Sequence, residues 1–93
     1  MNSDEVWALV CGQLGDKREN KYGWNFGDRL LNPPEQRNYN ETDGSTSSYW
    51  TVLVESDDGY HIVFDDDDGE FGLATSGIVV GWYGDLMTTI DSM

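Results

Sequence analysis

Between Tyr49 and Tyr83, apolar residues alternate on either side of two turn sequences, Asp57-Asp58-Gly59 and Ser76-Gly77. A period of two is that of a strand, so the stretch predicts two β-hairpins. Their register follows from which loop length sets apolar residues opposite one another. In the first, a three-residue loop pairs Ser56 with Tyr60, Val54 with Ile62 and Val52 with Phe64. One face then carries Trp50, Val52, Val54, Ile62 and Phe64. Such a loop needs a left-handed residue at its end, where Gly59 stands. In the second, a two-residue turn pairs Thr75 with Ile78, Leu73 with Val80 and Phe71 with Trp82. The opposite face carries Ala74 with Val79 and Gly72 with Gly81, and paired glycines leave room for something to lie close. The hairpins, joined by Asp65–Gly69, form a four-stranded antiparallel meander.

Two helices flank it. Ser3–Gly15 has Val6, Val10 and Leu14 recurring every four residues, with Ser3 as N-cap, Asp4 and Glu5 at the positive end and Gly15 to close it. Val-Trp-Ala-Leu-Val-Cys also has strand character, so residues 4–14 read as helix against a strand alternative. Gly84-Asp85 marks a stop and an N-cap, after which Leu86, Ile90 and Met93 share one side of a short C-terminal helix. Between the N-terminal helix and the first hairpin, Pro33-Pro34 and the Asn/Gly/Ser/Thr-rich stretch Asn38–Ser48 predict an irregular, flexible segment over about 32–48, with a short helical turn near Asp28–Leu31. Ninety-three residues suit one small domain. Cys11 is alone in an apolar run and reads as a small buried residue.

Charge is distributed unevenly. All five cations, Lys17, Arg18, Lys21, Arg29 and Arg37, precede Asn38, and twelve of the eighteen acids follow it. The formal net charge is −13. Such a surface is repelled by nucleic acid and by anionic membranes, and it favours basic proteins, cations or high salt. Aromatic residues at 13% argue against disorder. No apolar stretch approaches the ~20 residues needed to span a bilayer. The acidic start, Met1-Asn2-Ser3-Asp4-Glu5, does not resemble a signal peptide. Asn40-Glu41-Thr42 matches a glycosylation sequon, with nothing else pointing to secretion, so the expected location is the cytoplasm, that of a host if the chain is phage-encoded.

No catalytic constellation emerges. His61, the single histidine, falls opposite Glu55 in the proposed register, and a surface ion pair explains that better than acid–base catalysis. No Gly-x-Ser-x-Gly elbow and no phosphate loop is present, and one Cys with one His does not make a zinc site. Asp65-Asp66-Asp67-Asp68-Gly69-Glu70 fails as an EF-hand, because setting Gly69 at position 6 puts Phe64 at position 1. A solvated acidic loop is the simpler reading, and no metal or cofactor is expected.

The expected fold is therefore α+β: a four-stranded antiparallel meander with an N-terminal helix and a short C-terminal helix. The expected function is a non-enzymatic inhibitor of a basic target, a nuclease or other nucleic-acid-binding protein, engaged through a surface that mimics DNA. Alternate carboxylates on a strand stand ~6.6 Å apart, comparable to phosphates along a DNA strand. Asp57, Asp58, Asp65, Asp66, Asp67, Asp68 and Glu70 would supply the charge, and Tyr60 and Tyr83 the apolar anchors. Phage anti-CRISPR and anti-restriction proteins are of this general type by size and charge, a similarity that assigns no residues. The alternatives are a toxin-neutralising immunity protein and a salt-adapted or calcium-binding small domain.

Overall fold

The structure, a computed structural model, describes residues 1–93. Helix α1 (Ser3–Leu14) leads through a 3₁₀ turn (Gly27–Arg29) into five strands: β1 (Leu30–Asn40), β2 (Thr46–Val54), β3 (Tyr60–Asp65), β4 (Glu70–Thr75) and β5 (Ile78–Gly84). Helix α2 (Leu86–Asp91) follows. The α+β class and both helices are as expected, but the sheet has five strands rather than four, in the order β1-β2-β3-β4-β5. It closes into a barrel through one parallel pair, Asn40 with Ile78. No helix is long and apolar enough to cross a membrane.

The added strand lies in the segment expected to be irregular. Residues 32–48 are β1, a turn and the start of β2. The prolines occupy the gap in the ladder between Leu30–Leu53 and Glu35–Thr51, where no amide is required of them. Beyond it, Glu35 to Asn40 pair in unbroken register with Thr51 to Thr46. The turn is built by Asp43-Gly44. Gly44 has φ 89°, its amide donates to Glu41 O at 3.0 Å, and Asp43 Oδ1 accepts from the Ser45 amide at 2.9 Å.

Helix α1 begins one residue earlier than expected. Asn2, not Ser3, is the N-cap: its side chain accepts from the Glu5 amide while Glu5 reaches back to the Asn2 amide, a capping box. Val6, Val10 and Leu14 are buried, so the four-residue spacing does select the core face. They pack with Phe26, Trp50, Val52, Leu53, Ile62, Phe64, Phe71, Leu73, Leu86 and Ile90. Cys11 points away from this core and is exposed, contrary to expectation. Asp85 caps α2 as expected, accepting from the Thr88 amide at 3.1 Å.

Two hairpin registers depart from the simple alternation, for one physical reason. β2 carries a bulge between Thr51 and Leu53, so Thr51 pairs with Val63 and Leu53 with Ile62. The extra residue turns Leu53 into the core beside Val52 and sends Val54 out of it. It also sets His61 opposite Val54 instead of Glu55. Glu55 and Tyr60 close the turn, with the Glu55 amide donating to Tyr60 O at 2.9 Å, so four residues rather than three form the loop. Gly59 is not left-handed there. In the second hairpin the two-residue turn holds, with Ser76 at φ 52° and Gly77 at φ 77°, as do the pairs Thr75–Ile78 and Ala74–Val79. Bulges at Val80 and Tyr83 then place Gly81 opposite Leu73 and Trp82 opposite Gly72.

Both faces of the sheet carry buried residues. Tyr39, Val63, Ala74 and Val79 form a second buried cluster, with Tyr49 and Trp82 at its border. The space at Gly72 is filled by the chain's own Trp82, whose ring would stand 2.6 Å from a Cβ there.

Candidate functional site

Strand β3 separates the acids expected to form one patch. Asp57 and Asp58 lie in the turn before it, and Asp66 to Gly69 form the turn after it. Tyr60 to Asp65 spans five strand steps, roughly 16 Å at ~3.3 Å each. The structure therefore brings Asp65–Asp68 and Glu70 together and leaves Asp57 and Asp58 at the opposite end. Glu70 pairs directly across the ladder with Asp65. One oxygen from each of Asp65, Asp66 and Asp67 falls within 4.8 Å of the others. These carboxylates sit in a tight turn and stand closer than the strand spacing used to compare them with phosphates.

Local hydrogen bonds fix this turn. Gly69, at φ 71°, donates to Asp65 O at 2.8 Å, and the Asp67 amide donates to Asp65 Oδ1 at 3.0 Å. Asp66 turns inward to two donors, the Trp50 indole Nε1 at 3.2 Å and the Met1 ammonium at 3.2 Å. The indole N–H and the nearby positive charge hold the Asp66 carboxyl below the usual carboxylate range. Asp67, Asp68 and Glu70 remain exposed.

A further acid lies beside Tyr49, one that sequence reasoning missed because β1 went unrecognised. The Tyr49 hydroxyl donates to Glu41 Oε1. Burial, then the Glu41 bond and the charges of Glu41 and Asp65, push the Tyr49 phenol up. Tyr49 is thus flanked by carboxylates from two turns. The signal that could have revealed this was Asp43-Gly44, a turn dipeptide between two runs of paired length.

Apart from the Met1 ammonium on Asp66, these acids have no cationic partner. Arg37 pairs with Glu35, two residues away on its own strand, at 2.8 Å. Arg18 donates to the carbonyls of Gly15 and Lys17, and Lys21 lies 5.1 Å from the Tyr22 ring centroid. No Lys or Arg forms a salt bridge with any carboxylate between Glu41 and Asp91.

The proposed aromatic anchors differ from each other. Tyr60 is half-buried against the main core. Tyr83 is 40% exposed and lies over Gly81. Two exposed aliphatic residues, Ile78 and Val80, share β5 with Tyr83. His61 lies in a polar chain instead of an ion pair: its Nε2 is 3.2 Å from Ser56 O, and its Nδ1 is 3.1 Å from the Tyr39 hydroxyl. The surface holds no pocket.

No protein-family model, curated protein or solved structure matches this chain.

Proposed function

We propose that this protein is a non-enzymatic inhibitor that binds a basic, nucleic-acid-binding target through its acidic turns. One observation carries the reading: the Asp65–Glu70 turn gathers carboxylates that no Lys or Arg neutralises. Like charges held together raise the energy of the free protein, and a cationic groove would relieve that repulsion on binding. Such a groove ordinarily receives phosphates, so a nuclease of the CRISPR or restriction type is the target class that fits. A toxin neutralised by an immunity protein would present the same basic chemistry.

The reading is tested by titrating the protein into DNA cleavage assays with a panel of CRISPR and restriction nucleases. Cleavage by a susceptible nuclease should stop near stoichiometric ratio, and added salt should weaken the block as surface charges are screened. Changing Asp65, Asp66, Asp67 and Asp68 together to Asn should abolish inhibition while circular dichroism shows an intact fold. Undiminished inhibition by that variant would sink the electrostatic reading.

A further inference from the structure

Strand β5 is hydrogen-bonded along its length to β4 alone. Its other edge meets β1 only where Asn40 pairs with Ile78. From Val79 to Gly84 that edge has no strand neighbour, and unpaired strand edges are templates for another chain. Ile78, Val80 and Tyr83 on the same strand are 40%, 51% and 40% exposed. Val80 and Tyr83 are the two bulge residues, each omitted from the ladder with β4 and so displaced toward solvent.

Acids stand at both ends of this apolar row. At one end Ile78 pairs with Asn40, which leads into Glu41 and the Asp43-Gly44 turn. At the other, Tyr83 precedes Gly84, which pairs with Phe71 next to Glu70. β5 itself has no charged residue. Acids on neighbouring segments therefore bracket an apolar strand.

We infer that β5 receives an extended segment of a partner protein, apolar at its centre and bearing Lys or Arg at both ends. Backbone hydrogen bonds along the open edge supply affinity, the aliphatic row selects the centre, and the acidic turns select the ends. A second copy of this chain is the wrong occupant, because each copy carries −13 and brings its own acidic turns to the same ends. The inference rests on the acidic-surface reading above and adds the contact at its centre.

Two synthetic peptides test it on the full chain, one with Lys and Arg flanking a Val/Ile centre, the other with the same cations flanking a Ser/Thr centre. In amide-detected NMR titrations the apolar-centred peptide should bind roughly tenfold more tightly, reflecting burial of the aliphatic row. Its shifts should run along Ile78–Gly84, and the Ile78→Ser/Val80→Ser variant should erase the difference between peptides. Equal affinities with shifts confined to the Asp65–Glu70 turn would overturn the β5 site and leave the acidic-surface reading standing. Binding of neither peptide would overturn both. Self-association through β5 in sedimentation equilibrium would overturn the cationic partner in favour of a second copy.

Discussion

The Tyr39 hydroxyl lies 2.6 Å from the Thr51 hydroxyl, and both residues are almost wholly buried. The contact is one link of a polar chain. Ser56 O can only accept, so His61 Nε2 carries the proton that reaches it. In the tautomer with Nδ1 unprotonated, Nδ1 accepts from Tyr39, and Tyr39 accepts from Thr51. Burial pushes the Tyr39 phenol up, against the opposing pull of the Thr51 bond, so it stays protonated as a donor. Tyr39→Phe should therefore cost about 1–2 kcal/mol, because it strands a buried hydroxyl and weakens the His61 anchor. Urea denaturation measures this, and a double-mutant cycle with Thr51→Val should show coupling between the two sites.

Acid should weaken the fold through particular carboxylates. Asp66 is held low by Trp50 and the Met1 ammonium, Asp43 by Ser45, and Asp85 by Thr88. A folded-state pKa below the unfolded value of about 3.9 gives stability that is present above that value and lost as pH falls through the folded one. These sites are solvent-accessible, so each effect is small. Melting temperature should fall below about pH 4, and Asp66→Asn and Asp85→Asn should each flatten that fall.

The second hairpin supplies a matched pair of backbone predictions. A Cβ at Gly72 would stand 2.6 Å from Gly81 O and from the Trp82 ring, so Gly72→Ala should destabilise by about 1–3 kcal/mol. Ser76 holds φ 52° in a turn that favours Asn at that position, so Ser76→Asn should stabilise by about 0.5 kcal/mol. Thermal denaturation of both variants checks the two signs together.

Calcium should leave the melting temperature unchanged at millimolar concentration, with and without chelator. Two of the three clustered carboxylates are already occupied, Asp66 by Trp50 and Met1, and Asp65 by the Asp67 amide. A clear rise would instead assign Asp65, Asp66 and Asp67 to a cation.

Salt should act in the same direction as relief of self-repulsion. Added sodium chloride screens a −13 chain and should raise stability modestly from low ionic strength. A salt-adapted domain would instead be unfolded at low salt, a difference that circular dichroism reads directly.

Elements with local signals are legible in the chain of residues alone. Val6, Val10 and Leu14 marked a buried helical face, Asp85 marked the second helix, and Ser76-Gly77 fixed its turn. The residues alone also determined the excess of acid and, between Tyr49 and Tyr83, its confinement to turns and strand ends. The remainder depends on how the strands meet around the barrel. β1 is polar and interrupted by prolines, and it is a strand because β2 offers it an unpaired edge, while Tyr39 finds its partners on β2 and β3. The bulges in β2 and β5 exist because closing a small barrel requires strands to bend, a demand no local pattern records. Those bulges expelled Val54 from the core, turned Val80 and Tyr83 outward and gave His61 its neighbours. The length of β3 then decided that the acids form two groups, one at each end.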